Sequence, residues 1–349
     1  GATGACVGQS FQVSVQVNPK PFVQAIAETV CSASPFTISP ANGNGNIVPT
    51  GTTYSWTFVD NTSVTGEANG TTAANFTQTL TNTTTTPQVV TYTVTPTSGD
   101  TGNCVGSPFT VTITVNPTPV IADITDTICS NTSFTVTPQN GSGNIVPTGT
   151  TYTWTVAPNS NINGETNQAS PQANISQTLT NTSNTVQTVT YTVTPTSGAA
   201  GNCVGATFQV VVTVNPRPTI VNETIAACSN APITYTAANG GTNNNIVPTN
   251  TQYTWIIKTD NNDITGKSAQ ATAQASFTQT LRNTTNTQQT IVYTLTPSSG
   301  TCVGNAFDLT VLVNPTPEIA AKTAEICSAG TFSVTPTNTV VNGVGDIVP

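Results

Sequence analysis

The sequence predicts an all-β chain, with antiparallel sandwiches repeated in tandem and set end to end as a rod. Three observations predict it. A strand-like run ends in Asn-Pro-x-Pro four times, at Asn18, Asn116, Asn215 and Asn314, in steps of 98, 99 and 99 residues. A near-constant step of that size marks one folding unit copied in series. Within each step, short runs rich in Val, Ile, Thr and Tyr alternate apolar with polar and stop at Pro, Gly or Asn, the pattern of half-buried strands separated by turns. Tyr-x-Trp also recurs at one phase, at Tyr54/Trp56, Tyr152/Trp154 and Tyr253/Trp255, each time inside an alternating run.

The second unit justifies the elements in order. Val120–Ile128 reads as an irregular first strand. Ser133–Thr137 alternates and stops at Pro138, and Gln139–Thr150 is a loop rich in Gly, Asn and Pro. Thr151–Val156 alternates around Trp154, and Ile175–Leu179 is a short strand that stops at Asn181. Gln187–Thr194 alternates strongly and ends in the turn signal Pro195-Thr196-Ser197-Gly198, after which Phe208–Val214 runs into Asn215-Pro216. Short period-two strands joined by turns, about seven to a unit, are the pattern of an immunoglobulin-like sandwich. No segment has a helical period; Gln270–Phe277, rich in Ala and Gln, reads as a turn of helix or as a strand edge. Trp56, Trp154 and Trp255 are expected in the core from the third strand. Tyr92, Tyr191 and Tyr293 are expected there from the sixth, with hydroxyls bonded to nearby backbone. A sugar-stacking platform is the other reading of the Trp residues, and their mid-strand position argues against it.

The phase of the repeat divides the chain into a C-terminal fragment of a unit at 1–18, whole units at 19–116, 117–215 and 216–314, and an N-terminal fragment at 315–349. Neither fragment carries the Trp strand or the Gln-Thr-Leu strand (whose motif begins at Gln78, Gln177 and Gln279 in the whole units), so the two cannot complete one another. Phe11–Val17 without its sheet is an exposed edge and an aggregation hazard, so the chain is expected to be a window on a longer array. Two prolines around one residue hold an extended, stiff joint. Each unit is then expected to add roughly 40 Å to the rod, from strands of six to ten residues plus loops.

Composition narrows the function. Charged residues are 6% of the chain, against about a quarter in ordinary soluble domains, and Thr, Asn, Ser and Gln replace them. A net charge of −8 with six Lys and Arg leaves no cationic surface for nucleic acid. No run approaches the length of a membrane helix, so no membrane contact is expected in this segment. The alternating β-branched and aromatic content argues against disorder.

Eight cysteines at two fixed phases, Cys-Val-Gly at Cys6, Cys104, Cys203 and Cys302 and Cys-Ser at Cys31, Cys129, Cys228 and Cys327, with no His anywhere, point to disulfides and an oxidising, extracellular compartment. Metal binding is the weaker reading because imidazole and CxxC pairs are absent, and no base is present to activate a catalytic thiol. Three pairings respect the repeat. Chain entropy gives Cys6–Cys31 types about 3.5 kcal/mol and Cys31–Cys104 types about 4.4 kcal/mol, which does not choose between them. In a sandwich, Cys-Ser falls at the end nearest the following unit and Cys-Val-Gly at the end facing the preceding one. Those places are far beyond the Cα separation of about 4.4–6.8 Å that a disulfide needs. That favours staples across the joints, Cys31–Cys203 and Cys129–Cys302, with Cys6, Cys104, Cys228 and Cys327 paired to repeats outside the window. The within-unit alternative is Cys31–Cys104, Cys129–Cys203 and Cys228–Cys302.

Catalytic, metal and cofactor sites are not expected. No Ser-His-Asp set exists, and Asp60, Asp123, Asp260 and Asp263 keep no common phase. Asp260-Asn261-Asn262-Asp263 has oxygen ligands for calcium, but the other units lack it, and a polar turn is the better reading. Lys20, Lys258, Lys267 and Lys322 share no phase, which rules out an isopeptide bond in each unit. Asn-x-Ser/Thr sequons at Asn75, Asn82, Asn131, Asn181 and Asn283 arise readily by chance in such Asn/Thr-rich text.

Ile-Cys-Ser, Ile-Val-Pro-x-Gly-Thr-x-Tyr-x-Trp, Gln-Thr-Leu-x-Asn-Thr, Val-Thr-Tyr-Thr-Val-Thr-Pro, Cys-Val-Gly and Val-Asn-Pro-x-Pro together resemble the PKD-like repeats of Bacteroidota. Those repeats occur in very large surface and type IX-secreted proteins associated with gliding or adhesion. The resemblance covers the whole chain and implies an immunoglobulin-like sandwich and a cell-surface setting. Asp126-Thr127-Ile128 similarly resembles the Asp-Ser/Thr-aliphatic O-glycosylation site of that phylum. The Trp-x-Phe-Gly-Asp-Gly motif of true PKD domains is replaced by Thr57-Phe58-Val59-Asp60 or Thr155-Val156-Ala157-Pro158 after the Trp, so no ligand role of that motif transfers. The function expected is the stalk or fibre of an extracellular adhesin or filament, with neighbouring repeats as partners and lateral copies of itself as further candidates. The alternative is a set of modules that bind surface polysaccharide through their loops. The scarcity of loop aromatics favours the stalk.

Overall fold

The computed structural model describes residues 3–4, 7–198, 201–339 and 345–349. All regular structure among them is β, and three apolar cores form in series. They are built on Val23 to Val115, Ile121 to Val214 and Ile220 to Val313.

The middle unit shows why. In Gln187–Thr196, Val189, Tyr191 and Val193 are buried while Thr190 and Thr192 between them face water. Period-two text therefore gives one dry face and one wet face. This strand lies at the centre of a five-stranded sheet in the order Ile124–Cys129, Phe208–Asn215, Gln187–Thr196, Thr151–Val156, Gln168–Gln172. The opposing layer is Thr132–Val136, Ile175–Asn181 and Ile162–Asn163. Phe134, Ile175 and Leu179 from that layer pack on Trp154, Tyr191 and Val212, which closes the sandwich.

The structure corrects the expectation in two places and decides between two readings in a third. The sheets are not wholly antiparallel. Ile124–Cys129 pairs parallel with Phe208–Asn215, as Ile26–Cys31 does with Phe109–Asn116 and Glu223–Cys228 with Phe307–Asn314. A unit that is entered at one end and left at the other needs its first and last strands to run the same way, so as neighbours they pair in parallel. The irregular segment before the first strand makes only an isolated bridge, Val120 with Ile145. Gln270–Gln274 is a strand on the sheet edge and contains no helical turn.

The terminal segments differ from the units. No strand forms over 7–17 or 319–339, and Phe11, Val13, Val15, Val17, Ile326 and Phe332 are exposed.

Candidate functional site: the stapled joint

The recurring motifs converge on the two ends of each sandwich. At the exit end of the middle unit, the hydroxyl of Ser130 accepts from the Asn181 N–H at 2.9 Å and donates to the Asn181 carbonyl at 3.2 Å. The side-chain amide of Asn181 donates to the Val214 carbonyl at 3.0 Å and to Thr185 at 2.7 Å. The Ser130 N–H donates to the Asn215 carbonyl at 2.8 Å. Cys129-Ser130 is thus tied to both sheets where the chain leaves the unit. Ser32 with Asn82 and Ser229 with Asn283 repeat the arrangement. Buried polar groups must be paired, and here pairing explains why Cys-Ser and Leu-x-Asn recur together. It also makes three sequons structural, because Asn82, Asn181 and Asn283 are buried, whereas Asn75 and Asn131 are exposed.

At the entry end, the chain passes beneath its own Cys-Val-Gly turn. A Cβ on Gly205 would collide with the carbonyl of Pro119, one on Gly106 with that of Pro21, and one on Gly304 with that of Pro218. The glycine of one motif and the second proline of the other are therefore a single contact. The Gly205 N–H donates to the Pro195 carbonyl at 2.9 Å, which holds the turn over the joint. At the first joint, Thr118 donates its hydroxyl to the Ser32 carbonyl of the preceding unit at 3.2 Å. At the second, Arg217 instead donates from Nε to the Val303 carbonyl of the following unit at 2.5 Å. A cleft of about 450 Å³ beside the second joint, lined by residues that include Asn184, Val186, Pro216, Pro248, Ser299 and Cys302, contains no charged side chain.

These two ends bring the cysteines together. Cys129 ends the first strand in register with Asn215, at the exit, while Cys203 lies in the turn at the entry. Within one unit they stand at opposite poles, but across a joint an exit cysteine meets an entry cysteine. Cys31 is bonded to Cys203 and Cys129 to Cys302, each with a Cα separation of 5.6 Å. Cys203 and Cys302 are buried. The within-unit pairs Cys31–Cys104, Cys129–Cys203 and Cys228–Cys302 are not formed. Cys104 (half-buried), Cys228 and Cys327 (both exposed) carry no disulfide, and Cys6 lies outside the described residues.

The aromatic residues singled out in the sequence are core. Trp56, Trp154 and Trp255 are buried, and each indole N–H donates to a backbone carbonyl, of Ala68, Thr166 and Ser268 respectively, at 2.9–3.0 Å. Tyr92, Tyr191 and Tyr293 are fully buried. Their hydroxyls do not bond backbone as expected. Tyr92 and Tyr191 donate to the side-chain oxygens of Gln78 and Gln177 at 2.6 and 2.8 Å, which gives those two Gln residues a role, whereas Gln279 pairs with Ser268. Burial, reinforced by Glu67 beside Tyr92 and Glu165 beside Tyr191, pushes both phenols far above the ordinary range. In the acidic turn, Asp260 pairs with Lys267 and Asn261 caps the Asp263 N–H, so a lysine takes the place the calcium reading gave to a cation. No cluster of three or more His, Cys, Asp or Glu suited to a metal occurs among the described residues.

Sequence reasoning gave no role to Ser130, Asn181 or Gly205 and their counterparts. Their fixed phase was the signal; what it meant depended on contacts that spacing does not show.

The PKD-like domain family matches residues 28–119, 126–218 and 225–317, most of the chain. The chain belongs to the PKD-like domain family. Each PKD-like match begins within the first strand of a unit and ends at the following Asn-Pro-x-Pro joint. No characterised protein matches the chain in sequence. Among solved structures, a three-immunoglobulin-domain fragment of titin is 9% identical, with 85% of this chain and 96% of that one covered and a TM-score of 0.33. Three extracellular cadherin repeats of mouse cadherin-23 are 11% identical, with 86% and 99% covered and a TM-score of 0.27. A fragment of Drosophila OTK comprising extracellular domains 3–5 is 10% identical, with 84% and 96% covered and a TM-score of 0.25.

Proposed function

We propose that these PKD-like units form a load-bearing stalk or fibre segment of a large extracellular protein, with an adhesin or surface filament as its setting. One observation carries this reading: the disulfides are placed across the joints rather than inside the units. A staple within a unit would stabilise that sandwich alone, whereas a staple across a joint fixes the angle between neighbours and resists their separation. The proline-held joints and the Gly205–Pro119 contact act in the same sense. The disulfides fit an exported protein, and the resemblance to repeats of large Bacteroidota surface proteins supports that setting. Cys104 occupies the entry position of Cys203, and Cys228 the exit position of Cys129. In this reading they bond further repeats on either side.

Small-angle scattering and electron microscopy of the oxidised chain test the proposal. A rod of roughly 120 Å for the three units is expected, from about 40 Å per sandwich. A folded-back, compact particle would sink it. Strong, specific binding on a glycan array would instead favour the polysaccharide-binding reading.

A further inference from the structure

We infer that the two disulfides give the chain a second function, tolerance of backbone cleavage. A single cut anywhere between Cys31 and Cys302 leaves one covalent molecule. The inference rests on the two bonds and not on the stalk reading, and it holds for any role of the chain.

The staples span 172 and 173 residues, nearly two repeat lengths, and they overlap. A cut between Cys31 and Cys129 is bridged by Cys31–Cys203. A cut between Cys203 and Cys302 is bridged by Cys129–Cys302. Between Cys129 and Cys203 both bonds bridge it. Even one cut after Cys31 in the first unit combined with one before Cys302 in the third leaves three pieces joined, because the middle piece holds both Cys129 and Cys203. Within-unit pairs would behave differently, since the segments from Cys104 to Cys129 and from Cys203 to Cys228, which contain the joints, would lie outside every loop.

The places that need such cover are on the surface. The loops at Gly43, Gly141 and Gly241 are exposed, and exposed loop tips of small and polar residues are where endopeptidases nick folded chains. A nicked sandwich keeps its core, and the staples keep the pieces in series. The ligand class implied is a secreted endopeptidase acting on the native protein, and what the bonds preserve is continuity of the array.

The test places a recognition sequence for a site-specific protease after Ser107 in one full-length variant and after Ala206 in another. Both positions are exposed and both lie outside every within-unit loop. After cleavage, each protein is expected to run as a single species of undiminished mass on a denaturing gel without reductant, and as two species after thiol treatment. Adding Cys31→Ser and Cys203→Ser to the Ser107 variant is expected to release two fragments without reductant. Separation of either cleaved parent without reductant would overturn the inference, as would retention of one species in the serine variant. If an insertion prevents folding, non-reduced peptide mapping of the unaltered chain decides the matter: linked peptides containing Cys31 with Cys203 and Cys129 with Cys302 uphold it, and any other pairing refutes it.

Discussion

Pulling the chain by its ends gives different answers for stapled and unstapled molecules, and the difference follows from where the bonds attach. Load entering the first unit at Val23 reaches Cys31 along a strand that is already extended, Ile26–Cys31, and then crosses to Cys203. It leaves the third unit from Cys302 along Phe307–Asn314, also extended. Between the two staples three backbone segments then run in parallel, from Cys31 to Cys129, from Cys129 to Cys203 and from Cys203 to Cys302. The shortest, the roughly 75 residues between Cys129 and Cys203, limits the extension, and at about 3.5 Å per residue, less the folded length, no more than about 200 Å can be released. With both bonds reduced, or with Cys31→Ser and Cys129→Ser, all three sandwiches open. The total release is then about 900 Å in three steps, by the same extended-chain length. Optical tweezers on the full chain, with peptide tags at both termini, read these lengths directly. A release of several hundred ångströms in the oxidised protein would refute the reasoning, because it exceeds what the shortest segment between the staples allows.

Further outcomes follow from the sites described. Ser130→Ala strands the buried Asn181 N–H and is expected to lower stability by about 1–3 kcal/mol in denaturant melts, whereas replacing the exposed Thr190 should change it little. Trp154→Ala empties the centre of the middle core and is expected to cost about 3–5 kcal/mol there, seen as a separate, earlier calorimetric transition for that unit. Gly205→Ala drives a methyl group into the Pro119 carbonyl; about 1–3 kcal/mol of overpacking is expected, together with slower closure of Cys31–Cys203 during oxidative refolding. Tyr92 and Tyr191 have folded pKa values raised by burial above an unfolded value of about 10, so their contribution is complete below that pH and is lost as pH rises past it. Melting temperature should fall above about pH 10 by this linkage, and less steeply in Tyr191→Phe.

The sequence made the fold legible because alternation reports burial directly. Val189, Tyr191 and Val193 could serve as a core face only in a strand. Strand direction was not legible, because period-two text reads the same in parallel and antiparallel pairs. The parallel first strand follows instead from the need to enter and leave a unit at opposite ends. For the same reason Gln270–Gln274 was ambiguous: a half-exposed edge strand has little apolar text to declare itself. At the joint, loop entropy alone could not choose among cysteine pairings, and the choice turns on which pole of the sandwich each cysteine occupies. The contact of Gly205 with Pro119 was out of reach altogether, since a glycine in text gives no sign of whose carbonyl lies against it.

The distance along the chain between bonded cysteines also sets a schedule for making the protein. Cys31 emerges 172 residues before its partner, a wait of about 10–30 s at ordinary rates of synthesis. Cys104, its within-unit competitor, appears well before Cys203 does. Early oxidation would catch the wrong partner, unless the first sandwich has already folded and carried Cys31 and Cys104 to opposite poles. Correct pairing therefore requires folding to precede oxidation, unit by unit, and the thiol at each exit end must stay reduced until the next sandwich has closed.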